Sequence, residues 1–146
     1  MSTPPYFDSD DDVHHIGRGL LDRSLPKREW THAAHFAAAL WLLRRSPEET
    51  FAAMPRLIRA YNEATGVPNT STEGYHETIT LASLRAARHL LSLHDPATPL
   101  YRIANELLVS RFGRPSWILA HWSRTVLFSP LARKHWVEPD LLPLPF

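Results

Sequence analysis

The sequence predicts an all-α protein, a single-domain bundle of about five to seven helices, and three observations point there. Glycine is scarce (5) and proline plentiful (13), and most prolines fall between segments rather than inside them. Those segments repeat apolar residues at the 3.6-residue spacing of an amphipathic helix. No stretch alternates apolar and polar residues as a half-buried strand does. At 146 residues with 44% apolar and 21% charged composition, the chain has the size and make-up of one ordinary globular domain.

The first segment, residues 9–23, places Val13, Ile16, Leu20 and Leu21 on one side and stops before Pro26. The acidic run Asp8, Asp10, Asp11, Asp12 suits a helix N-terminus, where negative charge meets the macrodipole. A calcium loop of the EF-hand type is disfavoured, because its spaced glycine and closing glutamate are missing. Residues 1–8 are expected to be flexible. The second segment, residues 31–45, carries Phe36, Ala39, Leu40, Leu42 and Leu43, and ends on Arg44 and Arg45. Ser46-Pro47-Glu48-Glu49 then reads as a capping box opening a third helix. That helix is expected to bend or break at Pro55 and to end at Gly66.

Thr70-Ser71-Thr72-Glu73 is a second capping-box candidate, opening a long fourth helix to about Leu93. Thr98-Pro99 opens a fifth, with Leu100, Ile103, Leu107, Leu108 and Phe112 on one face and Gly113 as its stop. Ser116 caps a sixth over residues 117–128, and Ser129-Pro130 starts a short last helix to Trp136. The proline-rich tail, residues 137–146, is expected to lie extended against the bundle.

Composition excludes much. There is no cysteine, so disulfides, thiolate nucleophiles and iron–sulfur clusters are ruled out together. Lys and Arg number 16 against 15 acidic residues, giving no electrostatic reason to expect nucleic acid or an anionic membrane. The start Met-Ser-Thr-Pro-Pro-Tyr-Phe-Asp lacks a signal peptide's basic and apolar regions, and no apolar run spans a bilayer, so a cytoplasmic location is expected. A homo-oligomer is compatible with this composition, and a small molecule is the expected substrate or ligand. Gly-rich phosphate loops, Gly-x-Ser-x-Gly elbows and His-Glu-x-x-His motifs are absent.

What stands out is a load of 9 histidines and 5 tryptophans. His32 and His35 are three residues apart and project from the apolar face of the second helix. His76 lies on the stripe continued by Ile79, Ser83, Ala86 and Leu90, and His121 lies between Ile118 and Trp122. If short loops alternate the helix directions, the second, fourth and sixth run parallel and bring these histidines to one end of the bundle. Three or four neutral imidazoles there suit a divalent metal: zinc first, with iron, nickel or manganese as alternatives. Glu77, facing about 100° away from His76, is a candidate general base, ligand, or orienting partner, and equally an exposed first-turn glutamate. The competing reading gives each inward histidine an ordinary hydrogen-bonded place in the core.

Other patterns are weaker. His14 and His15 point about 100° apart on a helix and suit one ion poorly, while His89, His94 and His135 lie near helix ends that favour a cation. Glu29-x-x-His32 and Glu73-x-x-His76 have the spacing of di-iron carboxylate bundles, with Glu63 and Glu106 as the further carboxylates. The tryptophans, with Tyr61, Tyr75 and Tyr101, are expected mainly in the core and its rim.

Three segments together resemble a known pattern: Glu29-Trp-Thr-His32-Ala-Ala-His35-Phe, Gly74-Tyr75-His76-Glu77-Thr78-Ile79-Thr80, and the ending from Leu127 through Ser129, Ala132, Arg133 and Pro139 to Asp140. They look like a family of small bacterial helical proteins with aromatic-x-His-x-x-His, Tyr-His-Glu-Thr-Ile-Thr and Ser…Ala-Arg…Pro-Asp motifs. The match covers residues 29–141. It implies that His32, His35, His76, Glu77, Thr80, Ser129, Arg133 and Asp140 act together, without naming a reaction. A looser similarity is to DinB-like metal-binding bundles, which place three histidines inside a four-helix core. Those usually draw two ligands from a late His-x-x-x-His pair, which this sequence lacks. The functional expectation is a metal-dependent hydrolase or transferase. Its alternative is a non-catalytic helical module with a buried histidine network or a small polar or anionic ligand pocket.

Overall fold

The computed structural model describes residues 6–146, and among them it is helical with no strand. Seven α-helices follow in order: α1 (Asp10–Leu21), α2 (His32–Arg45), α3 (Thr50–Ala64), α4 (Glu77–Ser92), α5 (Leu100–Val109), α6 (Arg124–Leu127) and α7 (Pro130–Lys134). Short 3-10 turns lie at Lys27–Glu29, Arg111–Gly113 and Pro115–Ala120. No helix among the described residues is long and apolar enough to cross a membrane.

The core is built round α2. Its residues from Phe36 to Leu43 are buried without interruption, so no face is left for water. A helix that is apolar all round needs neighbours all round, and α1, α3, α4 and α5 supply them. Ala37, Ala38 and Ala39 keep its surface low enough for close approach. Gly17 of α1 does the same from the other side: a Cβ there would lie 2.3 Å from the Trp41 ring. Trp41 is itself fixed, its indole N–H donating to His14 Nδ1 at 3.2 Å.

The ends are tied down. Residues 1–5 of the start expected to be flexible lie outside the described residues, but by Phe7 the chain is anchored. Phe7 is buried and exchanges two hydrogen bonds with the Asn105 side chain, of 3.0 and 2.9 Å. At the other end the tail lies against α4: Arg85 donates to the Phe146 main-chain oxygen at 3.0 Å, and the Phe146 ring stacks on His89.

Several helix boundaries differ from the sequence expectation for identifiable reasons. Ser46 ends α2 instead of capping α3; its carbonyl accepts from the N–H groups of Glu49 and Thr50, and α3 starts at Thr50. Pro55 sits inside α3 without breaking it. Gly66 ends that helix as expected, at φ +83°, with Val67 N–H reaching back to the Asn62 carbonyl at 2.8 Å in a Schellman closure. Thr70 opens no helix. Its hydroxyl accepts from Thr72 and Glu73 N–H within a turn, and Gly74 at φ +84° turns the chain before α4 begins at Glu77. The sixth helix is divided into the 3-10 turn Pro115–Ala120 and α6, because the tail competes for the backbone between them. Leu141 N–H donates to the His121 carbonyl at 3.0 Å, and Asp140 Oδ1 accepts from Ser123 N–H at 2.8 Å.

Gly17→Ala isolates the α1–α2 approach. Helix propensity alone favours alanine by about 1 kcal/mol, yet the added methyl meets the buried indole. A net destabilisation of about 1–3 kcal/mol is expected in chemical denaturation; a stabilised variant would show that the two helices are not held this closely.

Candidate functional site

The Thr31 hydroxyl accepts from Ala34 N–H at 3.1 Å and so starts α2 with His32 in its first position and His35 in its fourth. The His35 ring donates from Nδ1 to the Thr31 carbonyl at 2.7 Å and stacks on Trp30 with ring centres 3.9 Å apart. A carbonyl only accepts, so the proton is on Nδ1 and Nε2 carries the lone pair. Burial first, and then the neighbouring His32, push the His35 pKa from 6.5 down to about 4, so the ring is neutral at physiological pH. Among the described residues its Nε2 has no hydrogen-bond partner. His32 commits the opposite nitrogen, donating from Nε2 to the Phe112 carbonyl at 2.7 Å, while its Nδ1 is left without a partner among the described residues.

Three cavities meet at His35 and Ile79. The largest, about 430 Å³, is a cleft walled by His32, Phe36, Ser83, Trp117, Leu127 and Phe128. A deeper void of about 50 Å³ lies between α2, α3 and α4, against Ala39, Met54, Ile58 and Leu84. The third, about 330 Å³, opens towards Trp30, Asn62, Val67, Tyr75 and His76. The first turns of α2 and α4 therefore come together, with His35 and His76 lining the same cavity, while His121 of the expected sixth helix does not join them.

The remaining histidines are committed elsewhere. His76 caps α4 with its side chain: Nδ1 accepts from Ile79 N–H at 3.2 Å, and Nε2–H donates to the Leu127 carbonyl at 2.7 Å. Burial lowers its pKa, and the nearby Arg133 adds to the effect. His121 is buried, donates from Nδ1 to the Leu142 carbonyl at 2.9 Å, and accepts from Arg111 at 3.2 Å. Both nitrogens of both rings are occupied. Among the described residues no three His, Asp or Glu side chains gather so as to hold a metal ion. The four histidines His32, His35, His76 and His121 thus do not meet at one point, and neither does the di-metal set. Glu29 pairs with His15 at 3.0 Å and Glu106 with His94 at 3.1 Å.

Glu77 accepts from the Tyr75 phenol at 2.6 Å. Burial and then this carboxylate raise the phenol's pKa. Three of the residues grouped by the motifs serve as fasteners. Ser129 caps α7, Asp140 holds Ser123, and Arg133 donates to the Gly74 carbonyl at 2.8 Å. Thr78, expected from the sequence to cap or to bond backbone carbonyls and given no chemistry beyond that, is wholly buried. Its hydroxyl donates to the carbonyls of Ala132 and His135 and accepts from Val137 N–H, latching α7 and the tail to α4. A threonine on an inward helical face was its only sequence signal. An aromatic-lined pocket beside the histidines was an open alternative for the tryptophans, Trp117 among them, whereas Leu127 and Phe128 gave no signal as cleft walls. Comparison with known protein families, characterised proteins and solved structures finds no match.

Two outcomes follow from these imidazoles. His35 titrates near 6.5 when unfolded and near 4 when folded, so the unfolded state binds more protons between those values. Its contribution to stability is complete above about pH 6.5 and is lost as pH falls towards 4, by roughly 3 kcal/mol at most. Wild type should lose more stability than His35→Gln over that window; parallel profiles would remove the neutral buried ring. His76→Ala deletes a cap and leaves a buried carbonyl unpaired, and is expected to cost about 2–4 kcal/mol in denaturant unfolding.

Proposed function

We propose that the protein binds a small, mainly apolar organic molecule in the cleft beside His35, which accepts a hydrogen bond from a hydroxyl or N–H of that molecule. The observation that carries this reading is the His35 ring, held neutral with Nδ1 spent on Thr31 and Nε2 unpartnered where three cavities meet. A cleft of about 430 Å³ has the size of small-molecule sites, which are mostly apolar with a few polar groups fixing orientation. Here Phe36, Trp117, Ile79 and Leu127 supply the apolar walls, and His35, His32 and Ser83 supply the polar points. A base with pKa about 4 is too weak to take a proton at neutral pH, so acceptance of a hydrogen bond suits it better than general-base catalysis.

The test uses 2-naphthol and its methyl ether, which match in shape but differ in the donor. Calorimetric titration should show the alcohol binding about 3- to 10-fold more tightly, the value of one neutral hydrogen bond. His35→Leu should remove that preference, and Ile79→Trp should abolish binding of both by filling the cleft. Equal affinity for the two compounds in wild type, or binding unaffected by Ile79→Trp, would sink the reading.

A second reading keeps the metal. His32 Nδ1 and His35 Nε2 are the two imidazole nitrogens of the predicted set that have no partner among the described residues, and both rings line one cleft. Two such ligands leave open positions on a zinc, iron, nickel or manganese ion, where a bound water would serve hydrolysis or group transfer. The positive end of the α2 dipole opposes a bare cation there, which places this reading second. Elemental analysis of untagged protein decides it. Near-stoichiometric metal that is lost in both His32→Ala and His35→Ala supports a two-histidine centre, and no metal after incubation with each ion eliminates it.

A further inference from the structure

Another pocket, of about 350 Å³, shares Tyr75 with the cavity that runs from His35 to His76 and has the opposite chemistry to the His35 cleft. Its charged walls are Arg59 from α3 and Arg133 and Lys134 from α7, and the loop before α4 contributes Asn69, Thr70 and Ser71. None of the three cations has a carboxylate within ion-pair distance among the described residues, where the ion pairs are His15–Glu29 and His94–Glu106. Three like charges converging without a counter-charge raise the electrostatic energy of the folded chain, and an anion between them lowers it.

The two guanidinium groups are positioned rather than loose. Arg59 lies over the Tyr75 ring, 4.3 Å from its centre, and Tyr75 is buried and tied by its phenol to Glu77. Arg133 is half-buried and fixed by one terminal nitrogen to the Gly74 and Tyr75 carbonyls, at 2.8 and 3.4 Å, and its other N–H groups have no partner among the described residues. The guanidinium of Arg59 and the ammonium of Lys134 make no hydrogen bond among the described residues. The Ser71 hydroxyl is equally unengaged among the described residues, while the Thr70 hydroxyl accepts from Thr72 and Glu73 N–H and also meets the Thr72 hydroxyl. The pocket therefore presents N–H and O–H donors from three directions, with no acidic group on its walls.

We infer that this pocket binds a phosphate-type dianion, either free phosphate or the head of a small organic phosphomonoester. Arginine forks match tetrahedral oxyanions with paired donors, and a dianion answers three cations better than a carboxylate does. The site is separate from the His35 cleft, and its test does not depend on what that cleft holds.

The experiment is a thermal-shift and calorimetric titration of the whole chain with inorganic phosphate and with phenyl phosphate, against chloride at matched ionic strength. Each protein is compared with its own phosphate-free melting temperature. Wild type should be stabilised by phosphate beyond the chloride control. Arg59→Gln and Lys134→Gln, both at exposed positions, should fold normally and bind about 10-fold more weakly or worse. Arg133→Lys keeps the charge and loses the fork, and should weaken binding while preserving the loop. Tighter binding of phenyl phosphate identifies a phosphomonoester head as the ligand, and equal or weaker binding identifies free phosphate. Stabilisation matched by chloride, or unchanged affinity in Arg59→Gln and Lys134→Gln, would overturn the site.

Discussion

Helix α2 has buried residues on every side from Phe36 to Leu43, and this single requirement organises the other elements around it. Exposing such a helix to water forfeits about 1.5–3 kcal/mol for each large apolar side chain, so each of its faces needs a partner. Three consecutive alanines and the Gly17 contact let those partners come close. The same constraint fixes where chemistry is allowed. Only the first turn of α2 carries polar side chains at the core, and it does so through His32 and His35, whose backbone neighbour Thr31 caps the helix. The cavities at that end are where α2 stops being covered by regular helices and is roofed instead by the irregular segment after α5.

That irregular segment is held by side chains acting as backbone substitutes. A loop packed on a core carries N–H and carbonyl groups that need partners, and here neutral imidazoles provide them. A histidine with one donor and one acceptor nitrogen bridges two chains: His76 joins the start of α4 to the end of α6, and His121 joins the turn before α6 to the tail. His32 reaches the Phe112 carbonyl, and Thr78 gathers three main-chain groups of α7 and the tail. Burial, which lowers the pKa of His76 and His35, keeps these rings in the neutral state their bonding requires. His32, His76 and His121 are thereby explained by architecture, and His35 stands apart because its unpartnered Nε2 belongs to a ring at which three cavities meet.

The helical fold was legible because apolar periodicity and proline punctuation are local signals. The α2 boundaries, the Gly66 stop and the inward direction of His32, His35, His76 and His121 all rested on them. Boundaries failed where a local signal met a non-local competitor. Thr70 and Glu73 spell a capping box, yet Gly74 at φ +84° belongs to a turn packed on the Pro68 carbonyl. Residues 117–128 have helical periodicity, but the tail takes their backbone groups. The partners of the histidines were beyond reach for the same reason, since Phe112 and Leu127 lie 80 and 51 residues from His32 and His76. Spacing placed the imidazoles on the right faces and carried no information about which of their nitrogens would be occupied.

Tyr75 separates the cationic pocket from the cavity that runs from His35 past His76, and its surroundings are held by hydrogen bonds. The phenol is held by Glu77, the imidazole by Ile79 and Leu127, and the preceding turn by Asn69, whose side-chain oxygen accepts from both Tyr75 N–H and the Asn62 amide. Groups already fixed by hydrogen bonds lose little freedom when a ligand arrives, so a preformed pocket keeps more of its contact energy as affinity. Coupling between sites requires a second arrangement that one ligand favours over the other. A wall with its polar atoms paired on both faces has no cheap alternative, since moving it would strand buried donors and acceptors. The cationic pocket and the His35 cleft are therefore independent by construction, and Tyr75 is shared only between the cationic pocket and the cavity that reaches His76.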